Sequence, residues 1–96
     1  MACMEDIQKL TELRQNIDDI DFQILKLLNK RAKLSLKARI AKGGQNVYRP
    51  EREKAVLKHV AARNTGPLSD EAIQTIFTSI IFICRGIQEV TIKKGS

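Results

Sequence analysis

Tryptophan is absent from this 96-residue chain and aromatic residues reach only 4%, while Leu, Ile, Ala, Lys, Glu and Gln dominate. Sheets draw on aromatic and β-branched side chains, so this usage favours helices and predicts an all-α fold. Cysteine is scarce as well: Cys3 stands at the start and Cys84 inside an apolar run. Two such residues are poor material for a disulfide framework and point to a reducing, cytoplasmic setting. The longest apolar stretch, Ile80 to Cys84, is far too short to span a bilayer. No N-terminal segment has the basic, apolar and small-residue regions of a secretion signal. The expectation is a soluble protein with no membrane partner. The single histidine, His59, has no Cys or carboxylate cluster beside it, so no metal is implied. A phosphate loop is missing too, since Gly43-Gly44 follows a helical pattern where the known phosphate loops precede one.

What is present is charge and helical spacing. Hydrophobic residues at 43% and charged residues at 29% match ordinary globular usage, so the chain is expected to fold. Its length allows one domain, residues 1–96, with one core or a shared one. Lys and Arg number 17 against 11 Asp and Glu, a formal net charge of +6 that attracts anionic ligands without saying which.

From Ile7 the apolar positions Ile7, Leu10, Leu13, Ile17, Ile20, Ile24, Leu27, Leu28, Leu34, Ile40 and Ala41 recur mostly every three or four residues. No Pro or Gly interrupts them before Gly43-Gly44, which predicts one amphipathic helix over roughly residues 5–42, about 57 Å long. A helix of that length needs a partner. Pro50 then sits at a first helical position with Glu51 and Glu53 in the first turn, opening a second helix over 50–63. It stops at the turn-forming cluster Asn64-Thr65-Gly66-Pro67. Ser69 is a natural N-cap for a third helix over 69–90, with a frayed tail after it.

Several polar residues ask for more than a bland bundle. Lys42 lies eleven residues after Arg31, on nearly the same face and about 16 Å along the axis. Arg14 is turned away from that stripe and lies about 42 Å from Lys42 along the axis. If all three serve one small ligand, Arg14 must come from a second, antiparallel chain. Helix two adds Arg52 and Glu53, and helix three offers Cys84 and Gln88 one turn apart on the face of Phe77 and Ile81. Gln88 continues an apolar stripe, and a buried amide is costly unless something polar meets it. Taken singly none is diagnostic: cations on so basic a chain are ordinarily solvated, Glu53 favours a helix N-terminus in any protein, and free Cys packs as a small hydrophobe.

The ordered set is more specific. Leu13-Arg14, Ile17-Asp18, Ile20-Asp21, Ile24-Leu25, Leu27-Leu28, Arg31, Lys42, Tyr48-Arg49-Pro50-Glu51-Arg52-Glu53, Ile76-Phe77 and Gln88 together resemble the all-helical chorismate mutases, over roughly residues 7–90. The likeness is greatest to the mutase domain that opens bifunctional proteins continuing into prephenate dehydratase. It implies a three-helix protomer intertwined through its long first helix into a six-helix homodimer. It also implies isomerisation of chorismate to prephenate, in phenylalanine and tyrosine biosynthesis, without a cofactor. By the same resemblance Arg14 is donated by the partner subunit and joins Arg31 and Arg52 in binding carboxylates. Lys42 and Gln88 donate to the ether oxygen, and Glu53 holds the ring hydroxyl. Two positions depart from the family pattern: Arg49 replaces an aspartate found near the hydroxyl, and Cys84 replaces a carboxylate-holding serine with a weak donor.

Three rivals remain open on sequence grounds: an isochorismate pyruvate lyase in the same fold, a basic helical nucleic-acid binder, and a simple helical dimerisation module. The many acids on the helices and the lack of an aromatic stacking set argue against nucleic acid.

Overall fold

A computed structural model describes residues 3–41, 43 and 49–95, with side chains through Ile87. Three helices follow in order: α1 (Met4–Ala41), α2 (Pro50–Arg63) and α3 (Asp70–Gly95). Among the described residues there is no strand, in accord with the all-α expectation. No helix there is long and apolar enough to cross a membrane.

Each boundary has a local cause. Glu5 and Asp6 occupy the first turn of α1, where the helix dipole favours acids, and Arg39 occupies the last. After Ala41 the chain turns at Gly43, whose φ of +72° is the left-handed conformation that glycine adopts without a Cβ penalty. Its N–H donates to the Ile40 carbonyl at 3.0 Å. Pro50 begins α2 as expected, and Glu53 N–H donates to the Arg49 carbonyl at 3.0 Å as an early bond of the ladder. Ser69 caps α3, its Oγ accepting from the Ala72 N–H at 3.1 Å. The C-terminal boundary differs from the expected residue 90, because α3 runs on to Gly95. Val90-Thr91-Ile92-Lys93-Lys94 contains no Gly or Pro to stop it, and lysines suit a helix C-terminus.

The turn between α2 and α3 is organised by one side chain. Asn64 Nδ2 donates to the Leu68 carbonyl at 2.7 Å and to Asp70 Oδ1 at 2.8 Å, while Asn64 Oδ1 accepts from the Gly66 N–H at 3.0 Å. The amide thereby ties the end of α2 to the first residue of α3. Asn64→Ala removes all three bonds and is expected to cost about 1–3 kcal/mol, seen as a lower Tm by circular dichroism at fixed protein concentration. Asn64→Asp should cost more than alanine at neutral pH, because it sets a second carboxylate against Asp70. An unchanged Tm for both would deny the amide this role.

The chain divides into two compact units, Met1–Lys30 and Arg31–Ser96. The first is the front of α1, a lone helix. Its large apolar side chains from Ile7 to Leu28 are between 37% (Leu28) and 63% (Leu27) exposed. In the second unit α2 packs on α3. Glu53, Val56, Leu57, Val60 and Asn64 form the half-buried stripe of α2, and α3 answers with Ile73, Phe77, Ile80, Ile81 and Cys84. Among the described residues Ile81 and Cys84 are the fully buried apolar pair.

Candidate active site

The expected site residues fall on all three helices. In the first unit, Arg14 is exposed on α1. In the second, Arg31 is half-buried at the head of a face that continues through Ala32, Ser35, Leu36 and Arg39. Those positions repeat every four residues, so they share one side of the helix. Lys42, one position past the end of α1, lies outside the described residues. Arg39 is a second half-buried cation on the Arg31 face that sequence reasoning did not single out; its spacing of eight from Arg31 was the available signal.

Arg52 and Glu53 are neighbours on α2 with different surroundings. Arg52 is exposed, and Glu53 heads the stripe that meets α3. Cys84 lies buried beneath that contact at 7% exposure, on the face of Phe77 and Ile81 that the spacing predicts. Its neighbour Ile81 is buried with it, so packing accounts for the position of this thiol. Gln88 lies within α3, and its side chain is outside the described part.

An ion pair joins α2 to α3 here. Arg85 Nη1 donates to Glu53 Oε2 at 3.0 Å, both side chains being largely shielded from solvent. Glu53 is thus brought into contact with a residue that sequence reasoning missed. A signal existed, since Arg85 is the only charged residue between Glu71 and Glu89. No ion pair or hydrogen bond among the described residues links Arg14, Arg31, Arg52, Glu53 or Cys84 to one another. These residues do not form a nucleophile and base pair, and no group of three or more His, Cys, Asp or Glu among the described residues is arranged to hold a metal. What they offer chemically is fixed positive charge and hydrogen-bond donors, suited to an anion that needs to be held in shape.

The family profile described as Chorismate mutase type II matches residues 13–89. The chain belongs to this family. Among curated chorismate mutase relatives, the bifunctional chorismate mutase/prephenate dehydratase of Neisseria gonorrhoeae is 43% identical over 75 residues, 78% of this chain and 21% of that protein. The protein of the same description from Pseudomonas aeruginosa is 34% identical over 93 residues, covering 90% of this chain and 26% of the relative. The chain therefore spans only about a fifth to a quarter of the length of the curated relatives it matches. Solved chorismate mutases are matched over most of their length. A crystal structure of the enzyme from Helicobacter pylori in complex with prephenate superposes with a TM-score of 0.83 at 32% identity, covering 90% of this chain and 96% of that one. Form II of the mutase from Thermus thermophilus gives 0.77 at 30% identity, over 84% and 94% of the two chains.

Proposed function

We propose that this chain is a cofactor-independent chorismate mutase that acts as a homodimer and rearranges chorismate to prephenate. The observation that carries the reading is the likeness, over 90% of this chain and 96% of the other, to a mutase with prephenate bound, at 32% identity. The chain's chemistry fits it. Chorismate is a dianion, and the chain is basic at +6.

In the rearrangement the ether carbon–oxygen bond breaks as a carbon–carbon bond forms within the same molecule. No atom leaves, and no nucleophile or redox partner is consumed. The work left to the protein is to hold a flexible substrate in the compact chair in which its reacting ends meet. Arg31 and Arg52, with Arg14 from the partner subunit, hold the carboxylates through charge-assisted bonds. As the ether bond lengthens, negative charge grows on its oxygen, so donors from Lys42 and Gln88 stabilise the transition state more than the substrate. Glu53 accepts from the ring hydroxyl, and the Cys84 thiol contributes at most a weak donor.

The second copy is called for by the front half of α1. Its apolar stripe from Ile7 to Leu28 finds no cover in its own unit, and each Leu or Ile side chain removed from water contributes roughly 1.5–3 kcal/mol. A second α1 laid antiparallel covers that stripe and delivers Arg14 to the far end. Each chain is then one domain, completed by its partner. The free thiols Cys3 and Cys84 suit a reducing, cytoplasmic setting.

The direct test is to incubate purified protein with chorismate, follow loss of substrate absorbance and identify the product. Prephenate formed without release of pyruvate is the expected result. One pyruvate per substrate consumed would make the chain a lyase instead, and unchanged absorbance would end the enzymatic reading.

A further inference from the structure

Arg85 is set in the run from Ile80 to Ile87, where a lone cation is out of place unless something holds it. Contacts to Phe82 and to Glu53 hold it. Its guanidinium lies over the Phe82 ring, 5.6 Å from the centroid and within cation–π range. Its Nη1 reaches across to α2 and donates to Glu53 Oε2 at 3.0 Å, with the two side chains only 22% and 24% exposed. An arginine seated on a ring of its own helix is a fixed point from which to hold a neighbour, because its planar fork is already oriented.

The carboxylate it holds is the one assigned to the ring hydroxyl. Glu has three rotatable torsions, and an unheld side chain loses that freedom when substrate binds. With Oε2 engaged by Arg85, the rotamer is set beforehand. Oε1 takes no part in that bond and is the oxygen left to accept from a ligand. The pair also matches the two charges against each other, so Arg85 is not a spare cation for a substrate carboxylate.

We propose that Arg85 is a positioning residue of the mutase reaction: it holds the Glu53 carboxylate by Oε2 and presents Oε1, oriented in advance, to the ring hydroxyl of chorismate. This rests on the mutase reading and on the place of Glu53 within it. A grip on the hydroxyl is shared by substrate and transition state, so its loss belongs in KM rather than in turnover.

The test compares wild type, Arg85→Ala, Arg85→Lys, Glu53→Ala and the double alanine variant, each checked for helicity and dimer formation. Chorismate and an analogue lacking the ring hydroxyl serve as substrates. Arg85→Ala is expected to raise KM for chorismate about tenfold with kcat within about threefold of wild type, and Arg85→Lys to recover most of that loss. In the Glu53→Ala background the same change should add less than about twofold, the mark of two residues acting through one contact. On the hydroxyl-free analogue Arg85→Ala should match wild type. A purely structural role would instead depress both substrates alike, and that outcome overturns the proposal. If Arg85→Ala does not fold, Arg85→Gln, which keeps part of the side-chain stem, takes its place in the same comparison. A wild type that converts chorismate beside an Arg85→Ala of unaltered KM sinks this proposal alone. A wild type that leaves chorismate untouched sinks the mutase reading, and this proposal with it.

Discussion

Lys42→Ala and Arg14→Ala, each nearly inactive alone, are expected to restore part of the activity when mixed. The loss in each follows from its proposed role. Lys42 is proposed to donate to the oxygen on which charge develops, and removing one such donor costs about a hundredfold or more in turnover, with a smaller effect on affinity. Arg14→Ala removes one clamp on a carboxylate of the substrate. Read from the sequence as one straight helix, the spacing between them amounts to about 42 Å, too far for one chain to offer both to a small ligand. In the proposed twofold dimer each site would take Lys42 from one subunit and Arg14 from the other. A mixed dimer then has one site with both residues intact and one with both missing. Random exchange of equal amounts makes half the dimers mixed, so about a quarter of wild-type activity should return. The check is a mixing series after unfolding and refolding together, with exchange shown by two differently tagged chains. Exchange without recovered activity would deny the shared site. A folded Lys42→Ala dimer with normal turnover would remove Lys42 from the ether oxygen.

Gln88→Glu is expected to be nearly inactive at neutral pH and to gain activity as the pH falls. The wild-type amide donates at any ordinary pH because it does not titrate. A carboxyl group in the same place donates only when protonated, and when ionised it repels the charge growing on the ether oxygen. Gln88→Ala should stay poor throughout, since it never donates. Turnover of the three proteins across a pH series, with helicity followed at each point, reads this directly. The midpoint of recovery would belong to the coupled site rather than to one group. If Gln88→Glu tracks the wild type, Gln88 does not meet the reacting oxygen.

The helices were legible because their punctuation was chemical. The three-and-four spacing from Ile7, Pro50 at the head of α2 and Ser69 before α3 each name a boundary that the structure keeps. The end of α3 was less legible, because weak helix formers such as Val90 and Thr91 do not stop a helix that already has momentum from Ile73 onward. The same spacing placed Cys84 with Phe77 and Ile81, and burial bears that out. Arg85 escaped for a different reason. Periodicity finds faces and a family pattern finds its own positions, whereas an ion pair between Glu53 and Arg85 depends on the packing of α2 against α3, which no local pattern encodes. The sequence did mark Arg85 by isolation, as the sole charge between Glu71 and Glu89.

The unequal exposure of the two thiols makes the chain its own reporter. Cys3 lies open beside Asp6, and Cys84 is enclosed where α2 meets α3. A thiol reagent meets the first directly, in the company of Asp6, and the second only when the helices part. The ratio of the two labelling rates therefore measures the free energy of that local opening, with Cys3 as the internal standard. No engineered cysteine is needed to follow how tightly α2 is held against α3.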